Sequence, residues 1–131
     1  MKAYRPLPAA DRRSALFAAL AAWDRDDWFE THELLEPAWM GTDDPLEREL
    51  YQGLIKLAAG YVHRARGNAV GLARNLAGAD IRLRRVAAHH DVLLGIPVRR
   101  LVADIAQRLP ADGTPADLTV GPPALSPPEE R

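Results

Sequence analysis

The chain has 131 residues, 47% of them apolar, with 17 Lys and Arg set against 18 Asp and Glu. That size and apolar content suit one domain with a core of its own. The absence of cysteine excludes disulfides, thiolate metal ligands and a thiol nucleophile, and a net charge of −1 by itself indicates no partner.

The first helix is predicted from about Ala10 to Trp23, where Leu16, Leu20 and Trp23 recur at helical spacing beside Phe17. Asp24-Arg25-Asp26 breaks the pattern. Asp27 then suits an N-cap, with Glu30 three residues on to complete a capping box. Pro37 lies inside this second helix, so a kink or an end is expected close to Trp39. After the Gly41-Thr42-Asp43 loop, Asp44-Pro45-Leu46-Glu47 repeats the start signal: cap, Pro at N1, Glu at N3. The third helix should reach Arg66, with Gly67 as its stop.

One apolar stripe of the third helix is Leu46, Leu50, Gly53, Leu54, Leu57 and Tyr61, and a second flank is Tyr51, Ile55, Ala58 and Val62. So broad an apolar surface marks a central helix contacted on two sides. Gly53 and Gly60 cost helix propensity and offer close approach to a neighbour. Asn68 can cap a fourth helix ending near His90, with Leu72, Leu76, Ala79, Leu83 and Val86 inward. Asp91 to Gly95 reads as a turn, and Pro97 opens a fifth helix through Leu109. From Pro110 onward six of 22 residues are proline, so the tail is expected to be extended or disordered, with nothing to pack against. With no strand alternation and no repeat, the fold class is all-α: a compact bundle of about five helices with short loops, residues 1–109, followed by a tail, 110–131.

The amino terminus lacks the apolar stretch of a signal peptide. The longest apolar run, Ala15 to Trp23, is too short to span a bilayer. A cytoplasmic protein without membrane association is therefore expected. Charge is unevenly placed: ten acidic and two basic residues lie between Asp24 and Glu49, ten basic and three acidic between Lys56 and Arg108. The two halves should complement each other, within one molecule or across a dimer.

The chemistry concentrates on the second helix. At about 100° per residue, Trp28, His32, Leu35, Glu36 and Trp39 share one sector, bordered by Phe29 and Glu33, while Glu30 and Pro37 point away. A carboxylate among core-facing aromatics needs partners. Gln52, Lys56 and His63 form a polar stripe on the third helix, and antiparallel packing across the short loop would bring Gln52 or His63 to the His32/Glu36 region.

The run Trp28-Phe29-Glu30-Thr31-His32-Glu33-Leu34-Leu35-Glu36-Pro37-Ala38-Trp39, then Tyr51-Gln52-Gly53-Leu54-Ile55-Lys56-Leu57-Ala58-Ala59, then Gly67-Asn68-Ala69-Val70-Gly71, resembles the small helical family known as domain of unknown function 309, over roughly residues 15 to 90. The resemblance implies a multi-helical bundle and self-association. It implies no activity, cofactor or catalytic residue.

His32-Glu33-x-x-Glu36 is similar to a zinc-peptidase helix, with Glu in place of the second histidine, but no Gly-His continuation follows and Pro37 interrupts the helix. A di-iron bundle needs Glu-x-x-His pairs, and no Glu stands three residues before any of the four histidines. A mononuclear site using His32, Glu36 and His63 stays open. Against it stands a buried hydrogen-bond network that only fixes helix packing. Arg82, Arg84 and Arg85 with Arg99 and Arg100 lack interleaved aromatics, which disfavours nucleic acid. The reading is a non-catalytic module that binds itself or a partner. Its alternative is a small-molecule or metal site, acting as a metal-assisted hydrolase if catalytic, formed by Glu30, His32, Glu33, Glu36, Trp39, Gln52 and His63. The cofactor, if any, is not readable from these residues.

Overall fold

In the computed structural model, which describes residues 4–127, the elements follow in the order α1 (Ala9–Asp24), α2 (Trp28–Met40), α3 (Pro45–Ala65), α4 (Ala69–Ala87), β1 (Val92–Leu93), β2 (Ile96–Pro97) and α5 (Val98–Ala106). The three polar caps form where expected. Asp27 accepts from the Glu30 N–H at 3.1 Å, Asp44 from Glu47 at 2.9 Å, and Asn68 from Gly71 at 2.9 Å, each satisfying a donor that the first helical turn leaves orphaned. The box at Asp27 closes on one side only. The Asp27 N–H donates instead to the Ala22 carbonyl at 2.9 Å, because only three residues reverse the chain between α1 and α2, and Asp26 takes φ 63° to do so.

The second helix passes through Pro37 and stops at Met40, one residue beyond the expected end. Gly67, at φ +73°, ends α3.

Consecutive helices pack on one another, and α3 lies between α2 and α4. Nine residues of α3 are buried, from both of its apolar flanks, as a centrally placed helix requires. The seam with α4 is set by missing side chains. A Cβ on Gly53 would stand 2.6 Å from Leu83 Cγ, and one on Gly60 3.2 Å from Asn75 Cβ. From the other side, Gly78 receives the Lys56 chain and Gly71 the His63 ring.

Three expectations change at the carboxyl-terminal end. The fourth helix stops at Ala87, short of His90. Where only a turn was expected, Val92↔Pro97 and Leu93↔Ile96 pair as a small antiparallel ribbon. Its two-residue loop, Leu94 at φ 51° and Gly95 at φ 80°, has the two left-handed positions that suit strand twist. The fifth helix ends at Ala106, not Leu109.

The proline-rich stretch forms no helix or strand through residue 127, in keeping with an extended tail; residues 128–131 lie outside the described residues. The expectation that it has nothing to pack against is corrected. Leu125 and Ala116 are buried in the core. The Trp23 indole N–H donates to the Pro123 carbonyl at 2.9 Å, Arg64 to Leu118 at 2.9 Å and Arg108 to Gly121 at 2.8 Å, and the Ala116 N–H donates to Ala69 at 3.1 Å. The stretch is a strap, held at three of these four bonds by its own carbonyls, which an extended chain leaves free. Among the described residues no helix is long and apolar enough to cross a membrane.

Candidate functional site

The buried line of α2 is Thr31, Leu35 and Ala38, so the inward sector is rotated from the expected one. Thr31 explains the difference. Its hydroxyl donates to the Asp27 carbonyl one turn back, at 2.8 Å, and a polar group satisfied within its own helix can be buried without penalty. His32, Glu36 and Trp39 consequently flank the core with intermediate exposure, and Glu30 is half-buried instead of pointing away. Glu33 and Phe29 are exposed.

His32 Nδ1 lies 3.6 Å from a Glu33 oxygen, an ion-pair distance when the ring is protonated. It has no hydrogen-bond partner among the described residues. His63 is more firmly placed. Asn68 spends its side-chain oxygen on the Gly71 N–H, so its amide nitrogen, 3.1 Å from His63 Nδ1, is the donor there. The ring proton of neutral His63 therefore sits on Nε2.

Of the polar stripe on α3, His63 comes beside His32 of α2. With His32 it lines a cleft of about 190 Å³, together with Phe29, Ala59, Val62 and Arg66. Lys56 turns toward α4, its chain lying over Gly78. The buried Oε1 of Gln52 has no hydrogen-bond partner among the described residues. Nor do any three His, Asp or Glu side chains among these residues come together as metal ligands. The cleft therefore offers two imidazoles and a guanidinium around an apolar floor, with no carboxylate in its lining. That set can hold a small anion by charge-assisted hydrogen bonds.

The densest polar cluster involves residues that the sequence reading gave other roles. Glu47, read as a helix-start residue, is clasped by Arg12 through Nε at 2.7 Å and Nη2 at 3.3 Å. It also accepts from the Tyr51 hydroxyl at 2.8 Å and the Thr42 hydroxyl at 3.2 Å. Arg12 reaches on to the Leu7 and Gly41 carbonyls. Burial pushes the Glu47 carboxyl up, but the hydrogen bonds from Arg12 and Tyr51 and the Arg12 charge outweigh it and hold the group below the usual carboxylate range. Burial and the neighbouring Glu47 carboxylate raise the Tyr51 hydroxyl well above its ordinary value. The only sequence signal was the spacing of Glu47 and Tyr51, one turn apart; Arg12 is 35 residues from Glu47.

Part of the charge asymmetry is consumed within the molecule, where Glu49 holds Arg82 at 2.9 Å and Arg85 at 3.0 Å. The fourth helix keeps a further feature. Besides its buried line it carries Val70 and Ile81, each about half exposed. With Ala73 and Ala77 they wall a groove of about 430 Å³ whose other side is Leu109 to Thr114, with Arg74 and Asp80 also in the lining.

Residues 16–75 match the family model described as Domain of unknown function (DUF309). The chain thus resembles that family over α2, α3 and the adjoining parts of α1 and α4. No curated protein and no solved structure matches it.

Proposed function

We propose that this protein is a non-catalytic helical module whose work is to associate with a second copy of itself. The observation that carries this reading is the outer face of α4, where Val70, Ala73, Ala77 and Ile81 continue an apolar stripe in solvent beside a groove. A helix apolar on two faces is ordinarily covered on both. In support, no three His, Asp or Glu side chains among the described residues come together as metal ligands, and the chain has only Ser14 and Ser126 as serine nucleophiles. Sedimentation velocity over a range of concentrations should show reversible association of the intact chain. Ile81→Glu should leave only monomer, with folding stability altered by no more than about 0.5 kcal/mol because the site is exposed. A monomer at every concentration would remove the reading.

A second reading, a small-molecule site, is favoured by one observation: His32 and His63 share a cleft with Arg66, and His32 Nδ1 has no hydrogen-bond partner among the described residues. Benzoate, which joins a carboxylate to an apolar ring, is the probe. Its titration should shift the imidazole nitrogen resonances of both histidines, and Arg66→Ala should weaken it by about tenfold, the loss of one charge-assisted hydrogen bond. Imidazole resonances unmoved at saturating benzoate would eliminate this site.

A further inference from the structure

Trp23, Trp28 and Tyr61 form a continuous aromatic cluster, with ring centroids 4.8 Å apart for the two tryptophans and 5.6 Å from each to Tyr61. Trp23 belongs to α1, Trp28 to α2 and Tyr61 to α3, so the cluster marks where three helices meet. One of its polar handles, the Trp23 indole N–H, is buried and donates to a proline carbonyl, that of Pro123.

The strap that supplies this carbonyl has the composition of a recognition peptide. Pro122 and Pro123 are consecutive, which pins φ at both and holds Pro122 extended. An extended proline pair makes no internal hydrogen bonds, so its carbonyls are free to accept. Two residues on, Leu125 is 1% exposed and anchors in the core. An indole N–H on a proline carbonyl and an aliphatic anchor beyond it are the physical parts by which aromatic grooves read proline-rich peptides. The connector is of another kind: Ala111 to Pro115 is exposed, and Gly113 turns at φ +78°.

We infer that the surface beneath the strap, around Trp23, is a receptor for extended Pro-Pro-x-Leu peptides of a partner polypeptide, and that residues 116–127 occupy it in cis as a tethered competitor. A short tether supplies the strap at an effective concentration in the millimolar range, so the intact chain is largely self-blocked. A partner peptide is seen at reduced apparent affinity until the strap lifts. The inference does not rest on the face of α4.

The test removes no part of the chain. A protease recognition sequence is inserted in the exposed turn at Asp112-Gly113 of the Ile81→Glu chain, and the purified protein is nicked there. A fluorescent peptide of residues 116–127 is then exchanged in and competed with a peptide that keeps Gly121 to Leu125 and scrambles the rest. The scrambled peptide should compete within about tenfold of the native strap, and Leu125→Ala in that peptide should weaken it at least about tenfold. Failure of the scrambled peptide to compete, or indifference to Leu125→Ala, would overturn the inference and reduce the strap to a part of the core. On the receptor side, Trp23→Phe keeps a ring and removes the N–H, and should weaken the scrambled peptide about fivefold. The peptide variants leave the receptor untouched, so a misfolded Trp23→Phe protein cannot imitate their result. If un-nicked Ile81→Glu chains bearing two labels instead exchange straps into dimers at micromolar concentration, the occupant is a second copy and the partner assignment falls.

Discussion

Replacing Glu47 by leucine should lower folding stability by about 2–3 kcal/mol, at or just below the bottom of what breaking a buried ion pair costs. The carboxylate satisfies Arg12, Tyr51 and Thr42 together. Its loss strands a guanidinium whose side chain is only 17% exposed and a buried tyrosine hydroxyl. Water can still reach Arg12 at that exposure, which is why the upper part of the range is not expected. Glu47→Gln keeps one oxygen as acceptor, turns the other into an amide donor facing Arg12 and a hydroxyl, and loses the charge, so it should cost about 1–2 kcal/mol. The double variant Arg12→Met with Glu47→Leu should recover part of the loss, since an ion pair replaced as a whole by apolar groups is often neutral. Urea unfolding of the four proteins decides it. Equal stabilities for Glu47→Leu and the double variant would show that Arg12 is solvated in the single variant and that the cluster holds nothing together.

The same cluster fixes a dependence on acid. The folded-state carboxyl of Glu47 lies below its ordinary range, so its contribution is fully present above the ordinary glutamate pKa. It is lost as pH falls through the lower folded-state value. Glu47→Gln should flatten that limb of the stability curve. At the other extreme Tyr51 and Tyr61 are raised, chiefly by burial. Their contribution is present below the ordinary tyrosine range and declines as pH climbs toward the raised values.

How much of this was legible depended on whether the signal was local. Asp27, Asp44, Asn68 and Gly67 announce helix ends because a cap acts within one turn; the three polar side chains cap where expected and Gly67 takes the left-handed backbone that stops α3. The α3–α4 seam was half legible: Gly53 and Gly60 are conspicuous in a helix, but their partners Leu83 and Asn75 are set by packing register. The strap was illegible. Its composition reads as a segment unable to build a core, and nothing local says that Leu125 finishes a core built by others or that Trp23, 100 residues away, waits for Pro123. At the candidate site the misplacement came from Thr31. The expected inward sector left it out and ran through His32 and Glu36. Bonded to its own helix, Thr31 is fully buried and leaves them at the edge.

Gly53 is one of the tightest points of the α3–α4 seam, and Gly53→Val should destabilise by about 3 kcal/mol or more, at the upper side of overpacking. The added Cβ would lie 2.6 Å from Leu83 Cγ and 2.7 Å from Cδ2. Leu83 is wholly buried and branches at that very atom, so it cannot swing a flexible end aside. Gly53→Ala separates the two opposing effects. Alanine gains about 1 kcal/mol of helix propensity, yet its methyl meets the same Cγ, so a net loss of about 1 kcal/mol is expected. A second change, Leu83→Ala, should make Gly53→Ala stabilising, because the obstacle is gone and only propensity remains. Thermal unfolding of the two single variants and the double variant reads this directly. Stabilisation by Gly53→Ala alone would mean that α3 and α4 separate at no cost. The consequence would reach both candidate surfaces, since Gly71 on α4 lies against His63 of the cleft, and the same helix carries the exposed Val70 and Ile81. A rigid seam holds the cleft and the α4 face in fixed relation; a loose one would let either change shape when the other is occupied.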